Sequence, residues 1–365
     1  MNNGIRRASP ASLLVAALLL AACEGQTGSI GGAGGNPSSG TAGATAGTGG
    51  VTGSAGGAPA TGGGGQAGGR TGAGGGTTGT GGSAAGGRGG APGTGGAGSG
   101  GTAGSTGCGS TTLPAACNTT TTGPCTINVG GVDRQYFVVP PANYNPNTSY
   151  PVVFLWHGRG GTAQQLIGGG FSAYYGVRTG FPNAMYVSAQ GLPSTTGGTD
   201  FGWPNTNGQD VAFTRAMIGS LESNFCVDKG RLFSTGMSYG GIMSITLGCQ
   251  MPDVFRAIGV MSGSMFGNAN SCLKNPLPVW FTHGDADTTL DISGDITARD
   301  AFIKRNGCDT TNTQTTAMSD GITTCTIYNV CTAGNYPVVW CPVPGEGHTI
   351  PRFAGSEITK FFLQF

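Results

Sequence analysis

The chain has 365 residues, 37% of them hydrophobic and only 9% charged, with a formal net charge of +1 and no basic cluster. That balance excludes a surface built to hold nucleic acid by charge. It also hides two unlike parts. More than half of the 74 glycines fall between residues 24 and 107, where there is too little apolar side chain to offset chain entropy.

Residues 1–23 read as an export signal. Arg6 and Arg7 form a charged start, and Leu13 to Leu20 form an apolar core too short to span a bilayer. Leu20-Ala21-Ala22-Cys23 follows as a small-residue cleavage site. A cysteine directly after Leu-Ala-Ala resembles the bacterial lipobox, which makes Cys23 the expected lipidation site; the alternative is plain secretion with an incidental cysteine. The expectation is therefore an exported chain, either a cell-envelope lipoprotein or a secreted protein, that meets membrane only through a lipid on Cys23. Residues 24–107 carry Glu24, Arg70 and Arg88 as their only charges and show no Gly-x-y triplet. They read as a disordered tether and not as collagen, with a reach of roughly 50 Å as a coil.

Residues 108–365 suit one catalytic domain of α/β-enzyme size. Apart from Cys23, all of the 11 cysteines fall here: Cys108, Cys117, Cys125, Cys226, Cys249, Cys272, Cys308, Cys325, Cys331 and Cys341. An even number in an exported domain implies a disulfide framework. Zinc is the rival, but there is no Cys-x-x-Cys. The pairing is not readable, although Cys325 and Cys331 lie near enough in sequence to close a short loop.

Short apolar or β-branched runs occur at 136–140, 150–156, 184–189, 231–235, 257–261, 278–282, 323–330 and 338–343. Several are continuous rather than alternating, as strands buried on both faces are. Helices are expected at 210–225, where Val211, Phe213, Met217, Ile218 and Leu221 recur at helical spacing, and at 241–250, 295–306 and 356–362. Strands alternating with helices predict a mostly parallel central sheet flanked by helices. Its chemistry is expected at the carboxyl ends of the strands.

Gly236-Met237-Ser238-Tyr239-Gly240 stands between a strand-like run and a helix-like run. This is the setting of a nucleophile elbow, in which a tight turn presents a serine at the top of an α/β-hydrolase sheet. A serine hydroxyl needs an adjacent base, and the chain has only 3 histidines. In the chain order Ser, acid, His, His348 is the only one that leaves room for an acid after Ser238. The acid is expected at Asp287, with Asp285 as the fallback, both following the 278–282 strand. Asp253, Asp291, Asp295 and Asp300 read as solvated helix or loop residues. One oxyanion donor is the N–H of Tyr239. The other is expected in His157-Gly158-Arg159-Gly160-Gly161, at the Arg159 N–H or else at Gly160, with His157 holding the loop. Trp203, in a Gly/Pro-rich loop, either stacks on a sugar or an aromatic acyl group or is a half-buried loop residue.

These stretches together resemble carbohydrate esterase family one, the secreted feruloyl and acetylxylan esterases, and the related polyhydroxybutyrate-depolymerase-like esterases. The matching segments are Tyr150 to Gly161, Asp210 to Phe213, Cys226-Val227-Asp228, Thr235 to Gly241, His283 to Asp287 and Gly347 to Pro351. They run in family order over most of 133–365. The resemblance implies a disulfide-stabilised α/β-hydrolase fold. It also implies Ser238, Asp287 and His348 as nucleophile, acid and base, and ester hydrolysis through an acyl-enzyme without cofactor or metal. The implied substrates are plant cell-wall esters, ferulate on arabinoxylan or acetyl on xylan. The polyester-cleaving relatives often carry Gly-Gly-His-Thr-Trp-Pro near the base, where this chain has Glu346-Gly347-His348-Thr349-Ile350-Pro351. That difference leans towards a feruloyl-type esterase. The alternatives are a polyhydroxybutyrate depolymerase with the same triad, a serine peptidase, and a surface-tethered module that binds without catalysis.

Overall fold

The computed structural model describes residues 104–110, 123–170, 173–193, 200–266, 272 and 275–365. The expected export signal, Cys23 and the expected tether up to residue 103 lie outside them. The chain order is β1 (Cys125–Val129), β2 (Val132–Val139), β3 (Tyr150–Trp156), α1 (Ala163–Ile167), α2 (Val177–Gly180), β4 (Met185–Ala189), β5 (Leu192–Pro193) and β6 (Phe201–Gly202). It continues with α3 (Gln209–Asn224), β7 (Val227–Met237), α4 (Tyr239–Gln250), β8 (Ala257–Met261), β9 (Val279–Gly284) and α5 (Ser293–Asn306). The last elements are β10 (Gln314–Ala317), β11 (Thr324–Tyr328), β12 (Val338–Val343) and α6 (Ala354–Phe362).

A 10-stranded sheet runs in the order β1-β2-β4-β3-β7-β8-β9-β12-β11-β10. From β4 to β12 every neighbouring pair is parallel, whereas both margins are antiparallel. β3 shows why the middle reads as an unbroken apolar run. Val152 to Trp156 have no exposed surface, and alternate residues feed opposite faces. Val152, Phe154 and Trp156 join a core capped by Phe213, Met217 and Leu221 of α3, Ile245 of α4 and Phe302 of α5. Val153 and Leu155 join a second core capped by Leu166 of α1 and by Ile358, Phe361 and Phe362 of α6. This is a helix–sheet–helix sandwich, the α/β-hydrolase arrangement expected from the alternation.

The margins depart from the sequence reading. β10 is exposed along its whole length, so no hydrophobic pattern marks it; its hairpin register with β11 holds it in place. β1 was also not expected, although a signal existed. Gly130 and Gly131 both have positive φ and close a tight hairpin from Val129 to Val132, the turn that Gly-Gly between strands favours.

Four disulfides join Cys108–Cys226, Cys249–Cys272, Cys308–Cys331 and Cys325–Cys341, and Cys125 is disulfide-bonded as well. The short Cys325–Cys331 loop is therefore wrong. Cys325 faces β12 across the β11–β12 ladder and takes Cys341, while Cys331 bridges back to the end of α5 at Cys308. Residues 104–108 are packed onto the domain: Ser105 donates to Val227 O, and its hydroxyl to Phe225 O.

Candidate active site

The candidate residues follow the carboxyl ends of neighbouring parallel strands: His157 after β3, Ser238 after β7, Asp287 after β9 and His348 after β12. Ser238 sits at φ 59°, ψ −123°, a conformation costing roughly 1–3 kcal/mol for a residue with a Cβ. The surroundings enforce it. A Cβ at Gly240 would collide with the Trp156 carbonyl, and one at Gly236 with the backbone of Gly240, so glycine is required on both sides of the turn. The Ser238 N–H donates to Met261 O at 2.9 Å, and its carbonyl accepts from Ile242 N at 3.0 Å.

His348 Nε2 lies 2.8 Å from Ser238 Oγ, and its Nδ1 lies 2.6 Å from Asp287 Oδ2. The three residues are thus brought together in the order serine, imidazole, carboxylate. Asp287 Oδ1 accepts from the N–H groups of Thr289 and Leu290 at 2.8 and 3.0 Å. Burial pushes the Asp287 carboxyl up, but the bonds from His348, Leu290 and Thr289 outweigh it and hold the group below the usual aspartate range. Asp285, the fallback, instead accepts from Gly345 N at 2.6 Å and so braces the His348 loop. Ser262, buried and with a positive φ, ties that loop to β8 through its hydroxyl on Thr349 O.

On the other flank the Gly160 N–H donates to Phe201 O at 2.8 Å, which removes Gly160 as an oxyanion donor. The Arg159 N–H has no acceptor among the described residues, and its guanidinium is turned outwards to Asp200 at 3.0 Å. His157 is buried and neutral: its Nε2 accepts from Gly191 N at 3.0 Å, so Nδ1 carries the proton given to Gly158 O at 2.7 Å. Burial draws its titration below the ordinary histidine range, against the pull of that carbonyl. It holds the loop, as expected.

Trp203 is a correction. It is 2% exposed, donates its indole N–H to His157 O at 2.9 Å and packs edge-on against Trp156. No face is left for a sugar or an acyl group. Its loop is fixed by a buried pair, Arg134 and Asp210 at 2.8 Å. Asp210 Oδ2 also takes the Asn205 N–H, and Asn205 Oδ1 returns to the N–H groups of Asp210 and Val211. Burial pushes Asp210 up and Arg134 down, each opposed by the other's charge. Asp295 is a second correction. It has no exposed surface and bonds His283, because α5 begins beneath the β9 loop rather than in solvent.

A cleft of about 670 Å³ adjoins the site, bounded by Gly158, Met237, Leu166, Tyr175 and Ile350, with Thr162, Gln164 and Gln165 adding polar groups. Gly158 and Met237 directly precede Arg159 and Ser238.

Comparison with known proteins places the chain in a family. The family model named Esterase matches residues 128–325, a span that holds Ser238 and Asp287 and stops short of His348. Feruloyl esterase D of Neurospora crassa is 33% identical over 255 residues, covering 66% of this chain and 85% of that protein. Feruloyl esterase C of Emericella nidulans is 31% identical over 237 residues, covering 63% and 84%. Among solved structures, an acetyl xylan esterase from Aspergillus awamori aligns with a TM-score of 0.49 at 17% identity, over 63% of this chain and 93% of that one. With an α/β-hydrolase sheet, a serine on a strained elbow and a family model spanning more than half its length, the chain belongs to the Esterase family, a group of carboxylic ester hydrolases like those of carbohydrate esterase family one.

Proposed function

We propose that the chain is a serine esterase that cleaves hydroxycinnamate esters, of the ferulate kind, from plant cell-wall polysaccharide. The observation that carries the reading is the single imidazole of His348 spanning Ser238 Oγ and Asp287 Oδ2. Ser238 Oγ attacks the ester carbonyl while His348 Nε2 takes its proton, and Asp287 holds the ring and balances the imidazolium. The oxyanion is received by the N–H groups of Tyr239 and Arg159. Collapse breaks the bond to the alkoxy oxygen, which leaves as an alcohol with the proton from His348. Water then repeats the sequence on the acyl-enzyme and releases the acid.

Two observations favour an aromatic acyl group over acetyl. The cleft has room for a ring far larger than a methyl group and combines apolar walls with amide and hydroxyl groups. The curated relatives quoted above carry the name feruloyl esterase. On the sequence of residues 1–23 we further infer export, with a lipid anchor at Cys23.

The test is hydrolysis of methyl ferulate, acetylated xylan and hydroxybutyrate oligomers by the oxidised protein, with Ser238→Ala as control. Ferulate release that vanishes in the variant is expected. Turnover of only the oligomers would instead identify a polyester depolymerase. No turnover, with Ser238 unlabelled by a fluorophosphonate, would leave a non-catalytic surface module. Incorporation of radiolabelled fatty acid that Cys23→Ser abolishes is the expected sign of the anchor.

A further inference from the structure

Behind Asp287 lies a second histidine–carboxylate pair that the reaction described above does not use. His283, the penultimate residue of β9, and Asp295, in the first turn of α5, have no exposed surface. His283 Nδ1 lies 2.8 Å from Asp295 Oδ2, and its Nε2 lies 2.9 Å from Leu290 O and 3.2 Å from Asp287 Oδ2. Both ring nitrogens therefore face oxygens that accept. Leu290 O can only accept, so Nε2 carries a hydrogen. On the other side one proton is shared between Nδ1 and Asp295. Asp295 Oδ2 already receives the Gly263 N–H at 2.9 Å, which favours an ionised oxygen there, and the Asp287 carboxylate favours a charged ring at the opposite end.

We propose that His283 is held as an imidazolium between Asp295 and Asp287, and that this pair is a positioning device that keeps Asp287 ionised and aimed at His348. The array then has five members: Ser238, His348, Asp287, His283 and Asp295. The charged and titratable groups facing His283 are Asp295 from α5, Asp287 and Asp291 from the loop after β9, and His348 beyond Asp287. Burial opposes charge on His283, but Asp295, the Leu290 carbonyl and Asp287 outweigh it and raise its titration. Burial also raises Asp295, opposed by the bonds it accepts from His283 and Gly263, and the geometry of the two ring nitrogens decides for the charged ring. Asp287 thus takes a donor on Oδ2 from His348, with His283 Nε2 a further 3.2 Å neighbour of that oxygen, and two backbone N–H groups on Oδ1. The same Asp295 oxygen fixes Gly263, in the loop after β8 that also carries Ser262. Acid, base loop and support are therefore tied to one buried carboxylate.

The assignment rests on the triad reading for its catalytic meaning, but its charge state can be read without any substrate. The experiment is ¹⁵N NMR of histidine-labelled full-length protein at about pH 8. The 3 histidines are assigned with His157→Gln and His348→Gln. The expected result is a proton on both nitrogens of His283 while His157 keeps one bare nitrogen. A bare Nδ1 on His283 would overturn the proposal, whatever the ester specificity proves to be. Asp295→Asn then tests the positioning role through the rate of fluorophosphonate labelling of Ser238, which needs no natural ester. The amide nitrogen can donate to Nδ1 and leave a neutral ring, but it then gives up the Gly263 N–H that the same oxygen accepts, so the pH dependence and not the overall slowing separates charge from frame. Labelling is expected to slow by about 10- to 100-fold. The loss should be larger near pH 5.5 than near pH 8, because removing the nearby cation shifts the acid limb to higher pH. Asp300→Asn, on an exposed carboxylate of the same helix, should leave both rate and limb unchanged. A slowing equal at every pH would reduce Asp295 to a packing residue and overturn the positioning role. If Asp295→Asn does not fold, the wild-type spectrum decides alone.

Discussion

The two flanks of the site are braced by buried charge in opposite ways. Beneath the candidate oxyanion loop, Arg134 and Asp210 face each other at 2.8 Å, and through Asn205 and Trp203 they fix the carbonyl of His157. A guanidinium stays charged under all ordinary conditions, so this flank supplies geometry that does not change state. Beneath the base loop, Asp287, His283 and Asp295 form a chain of titratable groups in contact. The proposed oxyanion donor is braced by a permanent charge, and the proposed base by groups that titrate.

That contrast can be broken or sharpened by measurement. The largest effect is expected on the cycling flank: Ser238→Ala should lower ester turnover by about 10⁴- to 10⁶-fold while the thermal melt followed by circular dichroism stays cooperative. On the static flank the cost should fall on stability instead. Asp210→Ala strands a buried guanidinium and should cost about 3–5 kcal/mol in urea unfolding with disulfides intact. Replacing Arg134 and Asp210 together by Met and Leu should recover most of that, because no lone charge remains. Trp203→Phe leaves the His157 carbonyl without its donor. It should cost about 1–3 kcal/mol and lower kcat more than it raises KM, since the displaced loop carries the proposed oxyanion donor. The smallest effect concerns pH. His157 has a depressed folded-state titration, so its stability contribution is complete above the unfolded value near 6.5 and is lost as pH falls below it. His283, with a raised one, contributes fully below that value and loses its contribution as pH rises through its folded titration. His157→Gln should therefore flatten the acid side of a stability–pH curve, by at most about 1.4 kcal/mol per pH unit, and leave the alkaline side as it was.

The sequence was legible where burial is complete and opaque where it is not. β3, β8 and β12 have the boundaries that their apolar runs predict, because both faces of each strand are covered. The meeting of Ser238, His348 and Asp287 was readable because the glycines and strand ends around them leave few places for such residues. β10 was not, since hairpin pairing alone holds its exposed residues. Trp203 and Asp295 were misplaced for a related reason. Both lie in polar or glycine-rich surroundings that suggest solvent, yet both are buried by partners distant in sequence. The disulfide pairing follows ladder register, as between Cys325 and Cys341, and not spacing along the chain.

The Cys108–Cys226 bridge gives the domain a mechanical polarity. Cys226 directly precedes β7, an 11-residue strand that ends beside Ser238, roughly 35 Å away along an extended chain. Residues 104–108 are thus fastened, by the hydrogen bonds of Ser105 and then by a covalent bond, on the rim opposite the site. A pull on Gly104 is borne at the end of β7 farthest from Ser238.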